Sequence, residues 1–344
     1  MNFTTRIKSL STIGSLIRQF VIKETEKSAV YYEYENVIRL AEQKNPWFTR
    51  ENILYALNYW GKVLSEEIIS NWLTGYNLKS NEPKNIGLVL AGNIPMVGLH
   101  DCLCVLLTGN RAKIKLSSKD DVLIPFVLNL WKEFCPEIEF EFISRLNDYD
   151  AVITTGSDNT ARYFEYYFSQ VPHIIRKNRT SLAVFTGSES DDDLKNFAQD
   201  VFLYFGLGCR NVTQIFIPEN HDLDLIFKAF LPYQNVVNHN KYANNYDYNK
   251  AVYLLNKDIF WENNFVLLKE SDALYSPLAV LFFKRYQDFS EVEKFVSDNH
   301  EKIQCTVGNG EIGGKACVPF GETQNPKIND YADGVDTVRF LINL

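Results

Sequence analysis

Residues 85–120 read NIGLVLAGNIPMVGLHDCLCVLLTGNRAKIKLSSKD, and this stretch decides the fold class. Ile86 to Ala91 is a continuous apolar run of strand length, the pattern of a strand covered on both faces. It breaks at Gly92-Asn93-Ile94-Pro95, and a helical stretch from Met96 to Gly109 follows. Ala112 to Leu116 is then a second strand, closing on Ser117-Ser118-Lys119-Asp120. Ser118, with Asp121 three residues on, has the spacing of a capping box for a helix from Asp121 to Phe134. Strand, helix and strand in succession make a parallel crossover unit.

Working outward, Glu137 to Phe142 alternates apolar and acidic residues, as a strand with one wet face does. Tyr149 to Thr154 is a further strand, running into Thr155-Gly156-Ser157 and a helix. This alternation predicts a doubly wound α/β sheet with ligand-type loops after its strands. Upstream, residues 1–80 read as a helical segment, with Thr49 as an N-cap. Downstream, a second α/β unit starts after Lys177. Its strands are expected at Ser181–Phe185, Gln214–Pro218, Leu278–Phe283 and Lys302–Val307, and a Ser190/Asp193 cap opens a helix. At the end, Val338, Phe340, Ile342 and Leu344 fall on one side of a terminal strand. The expected partition is 1–80 helical, 81–177 a doubly wound α/β unit, 178–318 a second α/β unit and 319–344 ending in that strand, which either pairs across a subunit interface or packs on its own sheet.

Composition narrows the function. Hydrophobic content of 46% belongs to a packed protein rather than a disordered one, and 344 residues suit two domains. A net charge of −8 argues against nucleic acid as a partner, since neutralising phosphates needs a basic face. Gly87 to Gly109 approaches membrane-spanning length but contains Asn93, Pro95, His100 and Asp101, so it is not expected to span. The N-terminus has an amphipathic helix pattern without the apolar run of a signal peptide. Six cysteines, at 102, 104, 135, 209, 305 and 317, show no zinc spacing, so no metal is expected. Reduced thiols in a cytoplasmic protein are the simplest account.

One cysteine stands apart. Asp200 to Val212 reads DVFLYFGLGCRNV, an apolar stretch broken by Gly206-Leu207-Gly208 just before Cys209 and Arg210. The glycines let the backbone turn sharply and leave space beside the sulfur. A thiol with an ordinary pKa of about 8.5 needs a neighbouring cation or converging N–H groups to ionise near neutrality. The residue reads either as a nucleophile or as a small buried hydrophobe. Asn93 reads as an oxyanion donor or as a turn residue, and Lys115, Ser117 and Ser118 as a ribose or phosphate site or as a strand end and cap. Gly156 and Ser157 read as a phosphate cradle or as a plain turn.

In order, AGNIPMVG, KIKLSSKD, ITTGSDNTA, NRTSLAVFTG, FGLGCRN and VPFGETQNPKINDYADGVDTVRFL resemble the aldehyde dehydrogenase superfamily. Within it they resemble the long-chain acyl-CoA reductase family, which includes the fatty-acid reductase of bacterial bioluminescence. The resemblance covers roughly residues 85–344 and implies an aldehyde dehydrogenase-like α/β fold, with 81–177 as a dinucleotide-binding domain, 178–318 as the catalytic domain carrying the cysteine loop, and 319–344 as the oligomerisation element of a homo-oligomer. It implies that Cys209 accepts the acyl group from a fatty acyl-CoA or acyl-carrier substrate. Asn93 and the Cys209 N–H would then hold the oxyanion. Lys115, Ser117 and Ser118 would hold the adenosine ribose, and Gly156 and Ser157 would border the pyrophosphate. NAD-preferring relatives carry a glutamate three residues after the strand-end lysine. Here that position is Ser118, so NADPH is expected, with NADH as the alternative cofactor. Two departures accompany the likeness. The segment HIIRKNRTS (173–181) lacks the carboxylate base of the hydrolytic dehydrogenases, and the second cofactor glutamate falls near Ala273, with Asp272 the nearest acid. His100, His173 and Asp272 are the candidates for a general acid. A cysteine-dependent acyltransferase or thioesterase, and a non-catalytic acyl-binding subunit, are the alternative functions.

Overall fold

The apolar run at Ile86 is the central strand of a parallel sheet, which is why it lacks a polar face. The computed structural model describes residues 3–23, 28–78 and 82–344. The chain divides into two compact units, residues 1–178 with 327–344, and residues 179–326. The boundary expected at 80/81 lies outside the described residues.

The first unit opens with helices α1 (Phe3–Val21), α2 (Ala29–Lys44), α3 (Arg50–Val63) and α4 (Glu66–Leu73). Strands β1 (Asn85–Val89), β2 (Arg111–Lys115), β3 (Phe140–Phe142), β4 (Ala151–Thr155) and β5 (His173–Arg176) follow. Between them run α5 (Leu99–Leu107), α6 (Leu123–Phe134) and α7 (Asp158–Tyr167). The strands pair in parallel in the order β3-β2-β1-β4-β5. The order reverses between β1 and β4, so the loops leaving their carboxyl ends flank a topological switch point, where such sheets bind ligands. The first helix is built into this unit. Leu10, Ile13 and Ile17 are fully buried, and the buried Trp131 indole of α6 donates to Ser9 Oγ at 2.9 Å.

The second unit holds β6 (Thr180–Val184), α8 (Asp191–Phe202), β7 (Val212–Pro218), α9 (Leu223–Phe230), α10 (Asn240–Asn256) and β8 (Trp261–Glu262). It continues through β9 (Leu267–Glu270), β10 (Val280–Tyr286), α11 (Phe289–Asp298) and β11 (Ile303–Val307). Its six-stranded sheet runs β11-β6-β7-β10-β9-β8, parallel except for β8. A short hairpin of β12 (Glu311–Ile312) and β13 (Lys315–Ala316) turns on Gly313 and Gly314, both at positive φ. The expected cap at α8 forms in both directions between Ser190 and Asp193. Phe185 packs against Phe197 and Phe320 with ring centroids 4.9 and 5.3 Å apart, and burial of each such ring stabilises by roughly 1.5–3 kcal/mol. No helix among the described residues is long and apolar enough to cross a membrane.

Three local expectations are corrected. Ser118 and Asp121 do not cap α6. The helix starts at Leu123, whose N–H donates to buried Asp120 Oδ1 at 3.3 Å, while Asp121 pairs with Lys44 at 2.9 Å. The helix expected from Met96 starts only at Leu99, because Met96 sits at φ 57, outside helical space. The terminal strand is a helix, α12 (Thr337–Ile342). Asp336 caps it by accepting from Arg339 N at 2.8 Å, and Thr337, Val338 and Leu341 are buried, the spacing of one helical face. The segment carrying it belongs to the first unit, where the Arg176 guanidinium donates to Ala332 O at 2.7 Å and Thr337 Oγ1 at 3.0 Å.

Candidate active site

The turn that carries Cys209 is held against its own backbone preference. After α8 the chain makes one 3-10 turn, in which Tyr204, Phe205 and Gly206 take φ of 54°, 56° and 78°. A non-glycine residue in this region costs on the order of 1–3 kcal/mol and persists only where its surroundings fix it. The fixing group is Asn211, fully buried. Its Nδ2 donates to Leu203 O (2.8 Å) and Asp200 O (3.2 Å), and its Oδ1 accepts from Gly208 N (2.9 Å) and Gln324 Nε2 (3.2 Å). One amide therefore ties together both limbs of the turn. Cys209 lies at its tip, partly exposed, just before the amino end of β7. None of the six cysteines is in a disulfide.

Ser181 Oγ, buried in β6, donates to Cys209 O at 3.1 Å and lies 3.1 Å from Cys305 Sγ. Burial pushes the Cys305 thiol up to about 11, against the pull of the Arg210 charge. Burial likewise pushes Cys102 and Cys104 well up, so these three stay protonated and inert at neutral pH.

Asp200 anchors the segment that runs beside the turn. It is fully buried; Oδ2 accepts from Gly321 N (2.7 Å), and Oδ1 from Thr323 N (3.1 Å) and Thr323 Oγ1 (2.8 Å). Burial nonetheless pushes this carboxyl from 3.8 up to about 6, outweighing those bonds. A carboxyl whose folded pKa exceeds its unfolded value holds its proton more tightly when folded. Its stabilisation is complete below about pH 4 and is lost as the pH rises through about 6. Relative to Asp200→Asn, the wild-type protein should therefore lose about 2 kcal/mol of stability between pH 4.5 and 7.5. Urea unfolding of both proteins at the two pH values measures this, and a relative gain by the wild type over that range refutes it.

In the first unit, Asn93 lies part-exposed in the loop after β1. Asp120 holds that loop, its Oδ2 accepting from Met96 N at 2.8 Å. Gly92 lets the loop approach the end of β2: a Cβ there would lie 2.7 Å from Ser117 Cβ and Oγ. Lys115 and Ser118 are exposed, and Ser117 Oγ accepts from Lys119 N at 3.2 Å. Ser157 caps α7, its Oγ accepting from Thr160 N at 3.4 Å, and Gly156 packs close over Thr160. Asn93, Lys115, Ser117, Ser118, Gly156 and Ser157 thus share the carboxyl edge of one sheet, while Cys209 belongs to the second unit. Sequence reasoning missed Asp120, Ser181, Asp200 and Asn211. The one available signal was an acid, Asp200, opening an apolar stretch.

No protein-family model matches the sequence, and no curated protein does. Solved structures match across most of the chain. An aldehyde dehydrogenase from Bacillus cereus in complex with NAD+ aligns with a TM-score of 0.63 at 13% identity, over 89% of this chain and 72% of its own. Aldehyde dehydrogenase 21 from Physcomitrella patens, in complex with its reaction product succinate, aligns with a TM-score of 0.66 at 10% identity, over 100% and 84%. KauB, an aldehyde dehydrogenase from Pseudomonas aeruginosa, gives 0.65 at 11% identity, over 89% and 72%. The chain has an aldehyde dehydrogenase fold.

On this aldehyde dehydrogenase fold the three acid candidates have ordinary structural partners. The His100 ring lies between Trp72 and Tyr331, its Nε2 is 2.8 Å from Ile328 O, and burial lowers its pKa. His173 is exposed on β5, with Nδ1 2.8 Å from Val171 O. Asp272 is exposed and paired with Lys284.

Proposed function

We propose that the protein is an acyl-CoA reductase that uses NADPH to reduce a long-chain fatty acyl thioester to the aldehyde through an acyl-enzyme on Cys209. The observation that carries this reading is the Asn211-braced turn with a partly exposed cysteine at its tip, on an aldehyde dehydrogenase fold. A nicotinamide dinucleotide fits the first unit. Its sheet has a switch point, Gly92 clears a close loop approach, and Lys115, Ser117, Ser118, Gly156 and Ser157 offer a cation and donors on that edge.

The Cys209 thiolate attacks the thioester carbonyl carbon. The C–S bond to coenzyme A breaks, and the coenzyme leaves as its thiol after taking a proton. The Cys209 N–H stabilises the oxygen that gains charge in this step. The reduced nicotinamide, when bound, supplies the hydride for the acyl carbon. Cys209 then departs as the thiolate and the aldehyde is released.

Water competes poorly for the acyl-enzyme. The segment that carries a base in hydrolytic dehydrogenases reads HIIRKNRTS, and its Arg176 is buried against Asp101 at 2.7 Å. Without cofactor, a fatty acyl-CoA should therefore release one equivalent of coenzyme A per active site and then stop. With reduced cofactor present, turnover and cofactor oxidation should resume. Steady fatty-acid release without cofactor would instead establish a thioesterase, and absence of thiol release across a chain-length series would remove the reductase reading.

A further inference from the structure

The second sheet leaves regular pairing around one residue of β6. β11 pairs Ile303 with Thr180 and Thr306 with Leu182, so Gln304 and Cys305 together lie opposite Ser181. On the other side of β6, the pairing with β7 slips between Ser181 and Leu182. Bulges are rare between parallel strands and gather beside active sites, where they re-aim a side chain. Both slips meet at Ser181, which is fully buried. Its N–H donates to Asn211 O at 3.2 Å, and its hydroxyl donates to Cys209 O at 3.1 Å. One residue thus pins the carbonyls on either side of Arg210, and its side chain carries the pairing past Val212, where β7 begins.

The serine hydroxyl has one proton, and the Cys209 carbonyl takes it. Ser181 Oγ is therefore the acceptor in its other two contacts, from Cys305 N at 3.3 Å and from the Cys305 thiol at 3.1 Å. The bonds run one way, from Cys305 through Ser181 to Cys209, and bonds in such a chain polarise one another. The Asn211 side chain braces the upstream limb of the turn, at Asp200, Leu203 and Gly208. The Cys209 carbonyl lies beyond that brace, and Ser181 supplies the hold there.

We infer that Ser181 is a positioning residue for the nucleophile: it fixes the Cys209–Arg210 peptide, and with it the direction of the sulfur, while Cys305 keeps the serine proton aimed at that peptide. Without this bond the peptide would turn about the Cα–C bond of Cys209, and the sulfur would spread over several positions. A reacting atom misplaced by about 1 Å loses on the order of 100-fold in rate. The role in acyl transfer rests on the reductase reading; the hold on the sulfur does not.

The hold is tested by alkylating Cys209 with bromotrifluoroacetone and reading its fluorine resonance, assigned by its absence in Cys209→Ala. The wild type should give one line, broadened by the tumbling of the whole protein. In Ser181→Ala the line should narrow at least twofold through local motion, and Ser181→Thr, which keeps the hydroxyl, should restore it. Identical lines in the wild type and Ser181→Ala, or no restoration by the threonine, would overturn the role. If Ser181→Ala does not fold, Cys305→Ala decides. It removes the thiol donor and should narrow the same line, whereas Cys305→Ser should not; an unchanged line in Cys305→Ala then overturns the role. In acyl transfer, Ser181→Ala should slow coenzyme A release from a fatty acyl-CoA at least tenfold at saturation, with half-saturation unchanged and recovery in Ser181→Thr. Equal rates would overturn the acyl-transfer role alone. If the wild type releases no coenzyme A, the reductase reading falls while the fluorine lines still decide the hold.

Discussion

Cys209→Ala should abolish acyl-enzyme formation, lowering turnover by about 10⁴-fold or more, while leaving the fold and cofactor binding in place. The size of the effect follows from the placement of the residue. Asn211 fixes the turn with four hydrogen bonds that involve only its own side chain and leave the sulfur out, so truncating the cysteine removes the nucleophile without loosening its support. The nearest alternative thiol, Cys305, cannot replace it, because burial holds that group protonated with a pKa of about 11. Cys209→Ser should also fail, since a hydroxyl ionises far less readily than a thiol. Mass spectrometry after mixing with a fatty acyl-CoA reads the adduct directly. An acylated alanine variant, modified at another cysteine, would refute the assignment.

Ser118→Glu should convert the expected preference for NADPH, about tenfold, into a preference for NADH, a swing of about 100-fold in relative affinity. The structure leaves Ser118 available: it is exposed, and the helix it was expected to cap begins at Leu123 with Asp120 serving that end. Lys115 and Lys119 are exposed nearby in the chain. A 2′-phosphate would meet hydroxyls and ammonium groups, each charge-assisted contact supplying about 1.5–3 kcal/mol before solvent and salt reduce it. A glutamate at 118 replaces that attraction with repulsion and offers the unphosphorylated ribose an acceptor. Fluorescence titration of both cofactors against both proteins measures the four constants. Tighter binding of NADH by the unmodified protein would show that the loop does not hold the ribose.

These expectations differ in how far the sequence alone could carry them. The central strand of the first sheet was legible because a strand covered on both faces is apolar throughout, and Ile86–Ala91 obeys that rule. The Ser190/Asp193 cap was legible because it is local. The end of the chain was misread for a related reason. Val338, Phe340 and Ile342 alternate, yet Val338 and Leu341 are the residues buried, and the cap at Asp336 was the signal to weigh. The strands β5, β8 and β9 were passed over, being short or flanked by polar residues. At the site, Cys209 and the strand-end loops carry their own local signatures. Asp120, Asp200 and Asn211 do not: each works through partners distant in the chain, as Asp200 does with Gly321 and Thr323. Nothing in their immediate neighbours marks them.

The return of residues 327–344 to the first unit sets an order of events during synthesis. Arg176 is 4% exposed in the finished protein, yet two of its hydrogen-bond partners, Ala332 and Thr337, are translated some 150 residues after it. At roughly 5–20 residues per second, the ribosome takes about 7–30 s to cover that distance. Over that interval the first unit has the Asp101 partner of this guanidinium but not those in the returning segment. The inserted second unit, whose sheet is continuous in the chain from Thr180 to Val307, meets no such delay. The nascent chain therefore completes its inserted second unit first, and the first unit closes last.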